Sequence, residues 1–229
     1  MKFGIIVFPG SNCDRDVAMV TEGLLHQPTR FVWHQETDIS DLDVIVIPGG
    51  FSYGDYLRCG AIARFSPVIK SVVEQARRGK FILGICNGFQ VLTEVGLLPG
   101  ALIRNRDLHF ICDRVSVRVE ANDSSWTQTY QLQQVISLPI AHGEGRYYVD
   151  NETLKMIESN GQVLFRYCTA QGEIDGTSNP NGSLNNIAGI TNAQGNVLGM
   201  MPHPERASDP ALKATDGKAL FQSICLAGF

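Results

Sequence analysis

Residues 81–88 read Phe81-Ile82-Leu83-Gly84-Ile85-Cys86-Asn87-Gly88, an apolar run that leads into a glycine-containing turn. The run predicts a buried strand, and residues Phe89 to Glu94 predict a short helix after the turn. Glycines stand two residues before and after Cys86, which is the spacing of a strand–turn–helix elbow that presents a nucleophile. The first helix amides would favour a thiolate and stabilise an oxyanion. Cys86 is therefore a candidate nucleophile; a small buried core residue is the alternative.

Strand and helix signals alternate in the first part of the chain, as they do in βαβ units. Parallel strands of this kind would end at one crevice, which is where open α/β sheets bind ligands. In chain order we predict a strand over Phe3–Phe8, a helix over Asp14–Leu25, strands over Arg30–Trp33 and Val44–Ile47, and a helix over Pro67–Arg78.

The second half of the chain instead predicts short strands separated by turns. Apolar and polar residues alternate from Val115 onward within Phe110–Glu120, which is typical of an antiparallel strand with one solvated face. We find no linker, repeat or low-complexity segment, so we predict one domain over residues 1–229. Its predicted fold is α/β, with an open, mostly parallel sheet, helices on both faces, and added antiparallel strands in the second half. Those strands are predicted over Val135–Ile140, Val163–Tyr167, Ile187–Thr191 and Val197–Met201, and a closing helix over Asp216–Leu226.

Composition excludes several classes of function. The net charge is −4 and no dense run of Lys or Arg occurs, which argues against a nucleic-acid partner. No apolar stretch approaches the roughly 18 residues that a membrane span needs. The cysteines form no Cys-x-x-Cys pair and no zinc-type cluster, so we predict no metal site and a cytoplasmic protein with reduced thiols. The six are Cys13, Cys59, Cys86, Cys112, Cys168 and Cys225.

A cysteine nucleophile needs a base and a group that orients the base. Among the five histidines, His203 has the most suitable context, because it follows a predicted strand and precedes Glu205 by two positions. Pro202 and Pro204 favour an extended segment, in which His203 and Glu205 would point to the same side. We predict His203 as the base and Glu205 as its partner. On its own, the same pattern would indicate only a surface turn.

An oxyanion site needs two hydrogen-bond donors. The amide of Asn87, directly after Cys86, is one candidate. The second should come from the glycine-containing loop that follows the strand Val44–Ile47, where the backbone can approach a ligand closely.

At this point the motifs resemble the class I (triad) glutamine amidotransferases. The resemblance rests on Pro48-Gly49-Gly50, on residues 84–90 and on His203-Pro204-Glu205, and it implies a flavodoxin-like fold. The wider context resembles the purine-biosynthetic branch of that family and spans nearly the whole chain. The stretches that carry it are FPGSNCD at 8–14, GGFSYGDYLR at 49–58, HGEG at 142–145, NPNGS at 179–183 and MPHPER at 201–206.

The resemblance implies that Cys86 attacks the side-chain amide of glutamine and forms a thioester. His203, oriented by Glu205, would protonate the departing ammonia and then activate water. The amide of Asn87 and an amide from Gly50 or Phe51 would hold the oxyanion. Gln90 would contact the α-amino or α-carboxylate end of glutamine, or would serve only as a hydrogen bonder on its helix face.

The resemblance also implies where the ammonia goes. In the family, a separate large synthetase subunit uses ATP and magnesium to convert formylglycinamide ribonucleotide to formylglycinamidine ribonucleotide, and a small third subunit joins the complex. This chain has no phosphate-binding Gly-rich loop with its Lys, so we expect no cofactor in it. Residues Asn179–Ser183 and Tyr53–Arg58 are candidate contacts with the synthetase. The alternatives are a glutaminase subunit of another amidotransferase, a free-standing γ-glutamyl cysteine hydrolase, and a non-catalytic glutamine sensor.

Overall fold

The computed structural model describes residues 1–228. Within these residues, nine strands form one large sheet. Its strand order is β2-β1-β3-β4-β11-β10-β9-β6-β7, and β5 and β8 form a separate antiparallel pair. The strands are β1 Phe3–Val7, β2 Thr29–Trp33, β3 Val44–Ile47, β4 Phe81–Ile85, β5 Ala101–Ile103, β6 Ile111–Val119, β7 Val135–His142, β8 Arg146–Tyr148, β9 Val163–Cys168, β10 Ile187–Thr191 and β11 Val197–Met200.

The first half of the sheet is parallel, as predicted. β1 pairs with β2 and β3, β3 pairs with β4, and β4 pairs with β11. Every residue of β3 and β4 is buried, because the strands of a parallel sheet are covered on both faces. The predicted α/β class is therefore confirmed.

β11 differs from the prediction in its pairing. We grouped it with the antiparallel strands, but it runs parallel to β4 and antiparallel only to β10. It thus joins the parallel half to the antiparallel strands β10, β9, β6 and β7 in one sheet. Because β4 and β11 are parallel neighbours, the residues after them lie side by side, and the amide of Cys86 donates to the carbonyl of Met200 at 2.8 Å.

Within the described residues, five helices accompany these strands: α1 Asp14–Ala18, which continues as a π-helix over Met19–Leu24, α2 Pro67–Arg77, α3 Asn87–Glu94, α4 Asn151–Ser159 and α5 Lys218–Leu226. We did not predict α4, which is short and has three large apolar side chains, those of Leu154, Met156 and Ile157, of which only Ile157 is buried. The signal that was present is Asp150, whose carboxylate accepts hydrogen bonds from the amides of Glu152 and Thr153.

One hydrophobic cluster collects buried residues from both halves of the sheet, from Phe3 in β1 to Ile140 in β7 and Ile224 in α5. The single-domain organisation stays a prediction. Within residues 1–228, no helix combines the length and the apolar character that a membrane crossing requires.

Candidate active site

Cys86 lies in a sharp turn between β4 and α3. Its φ is 51° and its ψ −104°, a conformation that residues other than glycine rarely adopt. The flanking glycines are needed for close packing, since a Cβ on Gly88 would lie 1.9 Å from the carbonyl oxygen of Ile47. A Cβ on Gly84 would lie 2.7 Å from the carbonyl carbon of Gly88. The elbow predicted from the sequence is therefore present, with Cys86 at the start of α3.

His203 follows β11 and lies beside this elbow. Its Nδ1 is 2.6 Å from Oε1 of Glu205, and both side chains are buried. The contact that we expected is present, but the extended backbone that we expected is wrong. Pro204 begins a 3₁₀ turn over Pro204–Ala207, since the fixed φ and missing N–H of proline suit the first position of a helical turn.

Glu205 sets the charge state of His203. Burial disfavours the imidazolium, but the negative charges of Glu205 and Cys86 outweigh it, so the pKa of His203 is raised well above its ordinary value. With Nδ1 directed at Glu205, the other ring nitrogen, Nε2, is available to exchange a proton. Nε2 is buried and makes no hydrogen bond of standard geometry within residues 1–228. This arrangement suits an acid–base group next to a thiol.

The loop after β3 supplies one free amide near Cys86. Gly50 has a φ of 150° and lies against Ser11, where a Cβ would come within 2.8 Å of the Ser11 Cα. The amide of Phe51 donates to the carbonyl of Gly10 at 2.9 Å, whereas the Gly50 amide has no acceptor within residues 1–228. Of the two predicted donors, Gly50 is thus the one available to a ligand.

Gln90 is held by the protein itself. Its Nε2 donates to the backbone carbonyl of Glu144 at 2.6 Å, and its Oε1 accepts from Nδ2 of Asn87 at 2.9 Å. Asn87 in turn accepts from the amide of Ser52 at 3.3 Å. These contacts connect α3 to the loops around Cys86, which favours the positioning role over direct contact with a substrate.

Cys86 divides a narrow cleft into two sides. On one side, which we call the triad side, it faces Cys13, His203 and Arg206. On the other side, which we call the acid side, the lining includes Asp55, Cys59, Gln90, His142 and Glu144. Gly50, Phe51 and Ala141 border both sides.

The acid side concentrates negative charge. The amide of Cys59 donates to Oε2 of Glu144 at 3.3 Å, and Nδ2 of Asn87 approaches Oδ1 of Asp55 at 3.5 Å. Burial raises the pKa of Asp55, and the nearby charge of Glu144 raises it further. A cationic group bound here would relieve this repulsion.

His142 is a neutral hydrogen-bond acceptor on the acid side. Asn105 uses its Nδ2 to donate to the carbonyls of His109 and His142, so its Oδ1 faces Nδ1 of His142 at 3.1 Å. That oxygen can only accept, so Nδ1 carries the proton and Nε2 carries the lone pair. Burial lowers the pKa of His142 to about 4. Its Nε2 has no partner within residues 1–228. In the sequence, this histidine stood out only as part of the HGEG stretch at 142–145 that carries the family resemblance.

Sequence reasoning missed Cys13, a buried second thiol on the triad side. Its Sγ accepts a hydrogen bond from Nη2 of Arg206 at 3.1 Å, and Arg206 also donates to Asp16 at 3.0 Å. The position of Cys13 after the end of β1, at the same sheet edge as Cys86, was the signal that could have revealed it.

The Asn179–Ser183 segment is largely internal. Asn181 donates to the carbonyl of Gly145 at 2.8 Å, and the hydroxyl of Ser183 accepts from the amide of Tyr147 at 3.0 Å. Asn179, Asn181 and Ser183 are buried. These side chains therefore support the loop that carries His142 and Glu144.

The elbow, the His203–Glu205 pair and the adjoining cleft define a cysteine amidohydrolase type of site. The chain belongs to the CobB/CobQ-like glutamine amidotransferase domain family, whose model matches residues 1–220.

Individual proteins share a high sequence identity with this chain. The chain is 75% identical over 222 residues to the phosphoribosylformylglycinamidine synthase subunit PurQ of Synechocystis, covering 97% of this chain and 99% of that protein. It is 66% identical over 224 residues to the PurQ subunit of Gloeobacter violaceus, and the match covers 98% of this chain and 97% of that protein. Among solved structures, PurLQS from Thermotoga maritima is similar at 41% identity and a TM-score of 0.87, covering 99% of this chain and 98% of that chain.

Proposed function

We propose that this chain is the glutaminase subunit of a phosphoribosylformylglycinamidine synthase. It hydrolyses glutamine to glutamate and ammonia and delivers the ammonia to a separate synthetase subunit, which converts formylglycinamide ribonucleotide to formylglycinamidine ribonucleotide in purine biosynthesis. The observation that carries the proposal is the strained Cys86 elbow beside a buried His203–Glu205 pair. The identity to PurQ relatives along nearly the whole chain supports the particular reaction.

The Cys86 thiolate attacks the amide carbon of the glutamine side chain and forms a tetrahedral intermediate. The amides of Asn87 and Gly50 stabilise its oxyanion, and the N-terminal end of α3 adds a favourable dipole. His203 carries the thiol proton on Nε2 and gives it to the departing nitrogen, so ammonia leaves and a γ-glutamyl thioester remains at Cys86. His203 then takes a proton from water, which attacks the thioester and releases glutamate.

The two sides of the cleft orient glutamine. The departing nitrogen must face His203, so the α-carbon end extends past Cys86 into the acid side. There Asp55 and Glu144 carry the charge opposite to that of the α-ammonium group. The lone pair on Nε2 of His142 accepts a further hydrogen bond from the substrate. Without the substrate, this buried nitrogen has no hydrogen-bond partner within residues 1–228.

The reaction that consumes the ammonia takes place on partner subunits. The large synthetase subunit uses ATP and magnesium, and a small third subunit completes the complex. The similar solved structure is that of PurLQS. The Tyr53–Arg58 segment, at the border of the acid side, exposes Tyr56 by 87% and Leu57 by 69%. Exposed apolar side chains of this size suit a protein contact.

We also propose a cytoplasmic location, since all six cysteines are unpaired thiols in residues 1–228.

The test is glutamine hydrolysis by the purified chain, alone and with the synthetase subunits, ATP and formylglycinamide ribonucleotide. The proposal predicts that the partners and the nucleotide substrate stimulate hydrolysis and that glutamine consumption matches formylglycinamidine ribonucleotide formation. Rapid hydrolysis by the chain alone, without stimulation, would instead indicate a free-standing hydrolase.

A further inference from the structure

Tyr53, in the loop after β3, makes side-chain contacts that the proposed reaction does not use. Its hydroxyl lies 2.8 Å from Nδ1 of His34 and 2.7 Å from Oγ of Ser66. A phenol hydroxyl donates one hydrogen bond and accepts others, so both contacts can form at once. The Tyr53 ring also packs against the rings of Phe8 and His34, with centroid distances of 6.2 Å and 5.6 Å. Tyr53 therefore joins this loop to two other parts of the fold.

Both hydrogen-bond partners of Tyr53 are fixed by the surrounding structure. The amide of His34 donates to the carbonyl of Val7 at 3.0 Å, and the carbonyl of His34 accepts from the amide of Val68 at 3.1 Å. Ser66 directly precedes α2, where a serine hydroxyl usually accepts from a helix amide, but it makes no such capping contact here. The Ser66 hydroxyl is thus directed at Tyr53 instead.

The backbone that begins at Tyr53 needs support of this kind. The φ angles of Tyr53, Gly54 and Asp55 are 55°, 75° and 51°, all in the left-handed region. This region is rare for residues other than glycine and especially for a bulky side chain such as tyrosine. Such a conformation persists only where the surroundings determine it, and the hydrogen-bonded phenol of Tyr53 supplies that constraint.

The left-handed segment carries Asp55, which lies on the acid side of the cleft. Oδ1 of Asp55 is 3.5 Å from Nδ2 of Asn87, which is a long hydrogen bond. The thiol of Cys59 and the amide of Gly60 also approach this carboxylate. These contacts involve the end of the side chain, whereas the backbone that directs it into the cleft is set two residues earlier, at Tyr53.

The oxyanion amide of Gly50 is held independently of the phenol. The amide of Phe51 donates to the carbonyl of Gly10 at 2.9 Å, and the amide of Tyr53 donates to the carbonyl of Pro9 at 2.7 Å. Both are main-chain hydrogen bonds, so they remain when the phenol hydroxyl is removed. Loss of that hydroxyl should therefore affect the acid side and leave the oxyanion amide in place.

We propose that Tyr53 is a positioning residue that determines how glutamine is recognised. Its hydroxyl, held by His34 and Ser66, fixes the left-handed backbone of residues 53–55. That backbone directs the Asp55 carboxylate at the α-ammonium group of glutamine. The effect on glutamine rests on the proposed function, whereas the anchoring of the segment does not.

Anchoring is tested by limited trypsin digestion, with cleavage after Arg58 followed by mass spectrometry. Tyr53→Phe keeps the ring and loses both hydrogen bonds, so it should be cleaved after Arg58 at least about threefold faster than the wild type. Cleavage after Arg104, which is also exposed, should not change. Equal cleavage of Tyr53→Phe and the wild type after Arg58 would overturn the proposal.

Tyr148→Phe is the matched control, and Ser66→Ala is a second, independent variant. Tyr148 is exposed on β8, and its hydroxyl makes no hydrogen bond within residues 1–228, so its loss should leave cleavage unchanged. Ser66→Ala removes one of the two contacts of the phenol and should accelerate cleavage after Arg58 to a smaller extent. If circular dichroism shows that Tyr53→Phe is unfolded, Ser66→Ala takes its place.

Recognition is tested by the kinetics of the complex with the synthetase subunits. Tyr53→Phe should raise KM for glutamine about threefold to tenfold, as expected for the loss of two neutral hydrogen bonds, and should change kcat by less than about twofold. With glutaramate, the analogue that lacks the α-amino group, Tyr53→Phe should behave like the wild type. A loss of kcat, or an equal loss with both substrates, would contradict a role in recognising the ammonium group.

A double variant decides whether Tyr53 acts through Asp55. Adding Tyr53→Phe to Asp55→Asn should raise KM for glutamine no further, because the carboxylate that Tyr53 positions is already gone. Additive effects would overturn the proposal. Absence of glutamine hydrolysis by the wild-type complex would refute the proposed function, whereas the trypsin cleavage rates decide the anchoring without any reaction.

Discussion

At the scale of single residues, the conformation of Cys86 depends on its glycine neighbours. A positive φ at a non-glycine residue costs about 1–3 kcal/mol and persists only where the surroundings determine it. Here the backbone of α3 passes so close to Ile47 that position 88 has no room for a side chain. The reactive thiol is therefore held in place by packing beneath it.

Gly88→Ala should be strongly destabilising. Its Cβ would lie 1.9 Å from the carbonyl oxygen of Ile47, so the elbow must shift, and we expect a loss of at least about 2 kcal/mol in the free energy of unfolding. Urea unfolding measures it. Gly176→Ala is the control, because nothing lies within 4 Å of the added Cβ, and it should change stability by less than about 0.5 kcal/mol. Equal effects would show that α3 does not constrain the elbow.

Glu205→Gln removes the negative charge next to His203 and keeps a side chain of similar size. The carboxylate helps to hold the pKa of His203 above its ordinary value, so its neutral replacement should lower that pKa. We expect the alkaline limb of kcat/KM for glutamine to move to lower pH, and kcat to fall roughly 100-fold or more. An unchanged pH profile would contradict the role of Glu205.

The acid side should recognise the α-ammonium group. Asp55→Asn and Glu144→Gln should each raise KM for glutamine about tenfold or more, since hydrogen bonds between charged groups are worth about 1.5–3 kcal/mol. Kinetics with glutaramate, which is glutamine without its α-amino group, provide the comparison. Both variants should hydrolyse glutaramate like the wild type. A parallel loss with both substrates would indicate a structural role for these carboxylates.

The triad could be predicted because short spacings in the sequence mark each of its residues. Two glycines around Cys86 and two prolines around His203 are visible as short spacings. Cys13, by contrast, meets Arg206 across 193 positions of the chain, and the lone pair of His142 depends on the orientation of Asn105. Such contacts follow from tertiary packing, which no spacing in the sequence encodes.

At the scale of elements, β11 determines the site and was predicted only in part. Its apolar run indicated a strand, but its parallel partner β4 lies more than a hundred positions earlier. This pairing brings His203 beside Cys86, whereas an antiparallel arrangement would have placed it at the opposite end. The turn after β11 likewise departs from the extended segment, because Pro204 starts a helical turn.

Helix α4 should depend on its N-terminal cap. Asp150→Ala removes the acceptor for the amides of Glu152 and Thr153, so the midpoint of urea unfolding should fall at neutral pH. These contacts hold the pKa of Asp150 below its ordinary value, so its contribution is present above the unfolded-state pKa and is lost as the pH falls through the folded-state pKa. The difference from the wild type should therefore fade in acid. Asp123→Ala, in an exposed turn, should leave the midpoint unchanged.

At the scale of the whole molecule, the site lies between the parallel and antiparallel halves of one sheet. β4 and β11 present Cys86 and His203, while β7 and the segment after it carry Ala141, His142 and Glu144. The exposed Tyr53–Arg58 segment borders the same cleft. Ammonia is thus released next to the surface proposed for the synthetase.

Leu57→Ser should weaken assembly with the synthetase subunits and reduce their stimulation of glutamine hydrolysis. Leu212→Ser replaces a similarly exposed leucine in a separate 3₁₀ turn and should leave both unchanged. Analytical ultracentrifugation of the mixed subunits measures assembly. Undiminished assembly of Leu57→Ser would exclude this segment as a contact.

If Cys86 forms the covalent intermediate, an electrophilic glutamine analogue should react with this cysteine alone. Mass spectrometry of the chain after the reaction should show a single adduct on Cys86 and none on the other five cysteines. The Cys86→Ala variant should form no adduct and should release no ammonia from glutamine. An adduct on a different cysteine, or ammonia release by Cys86→Ala, would contradict this role of Cys86.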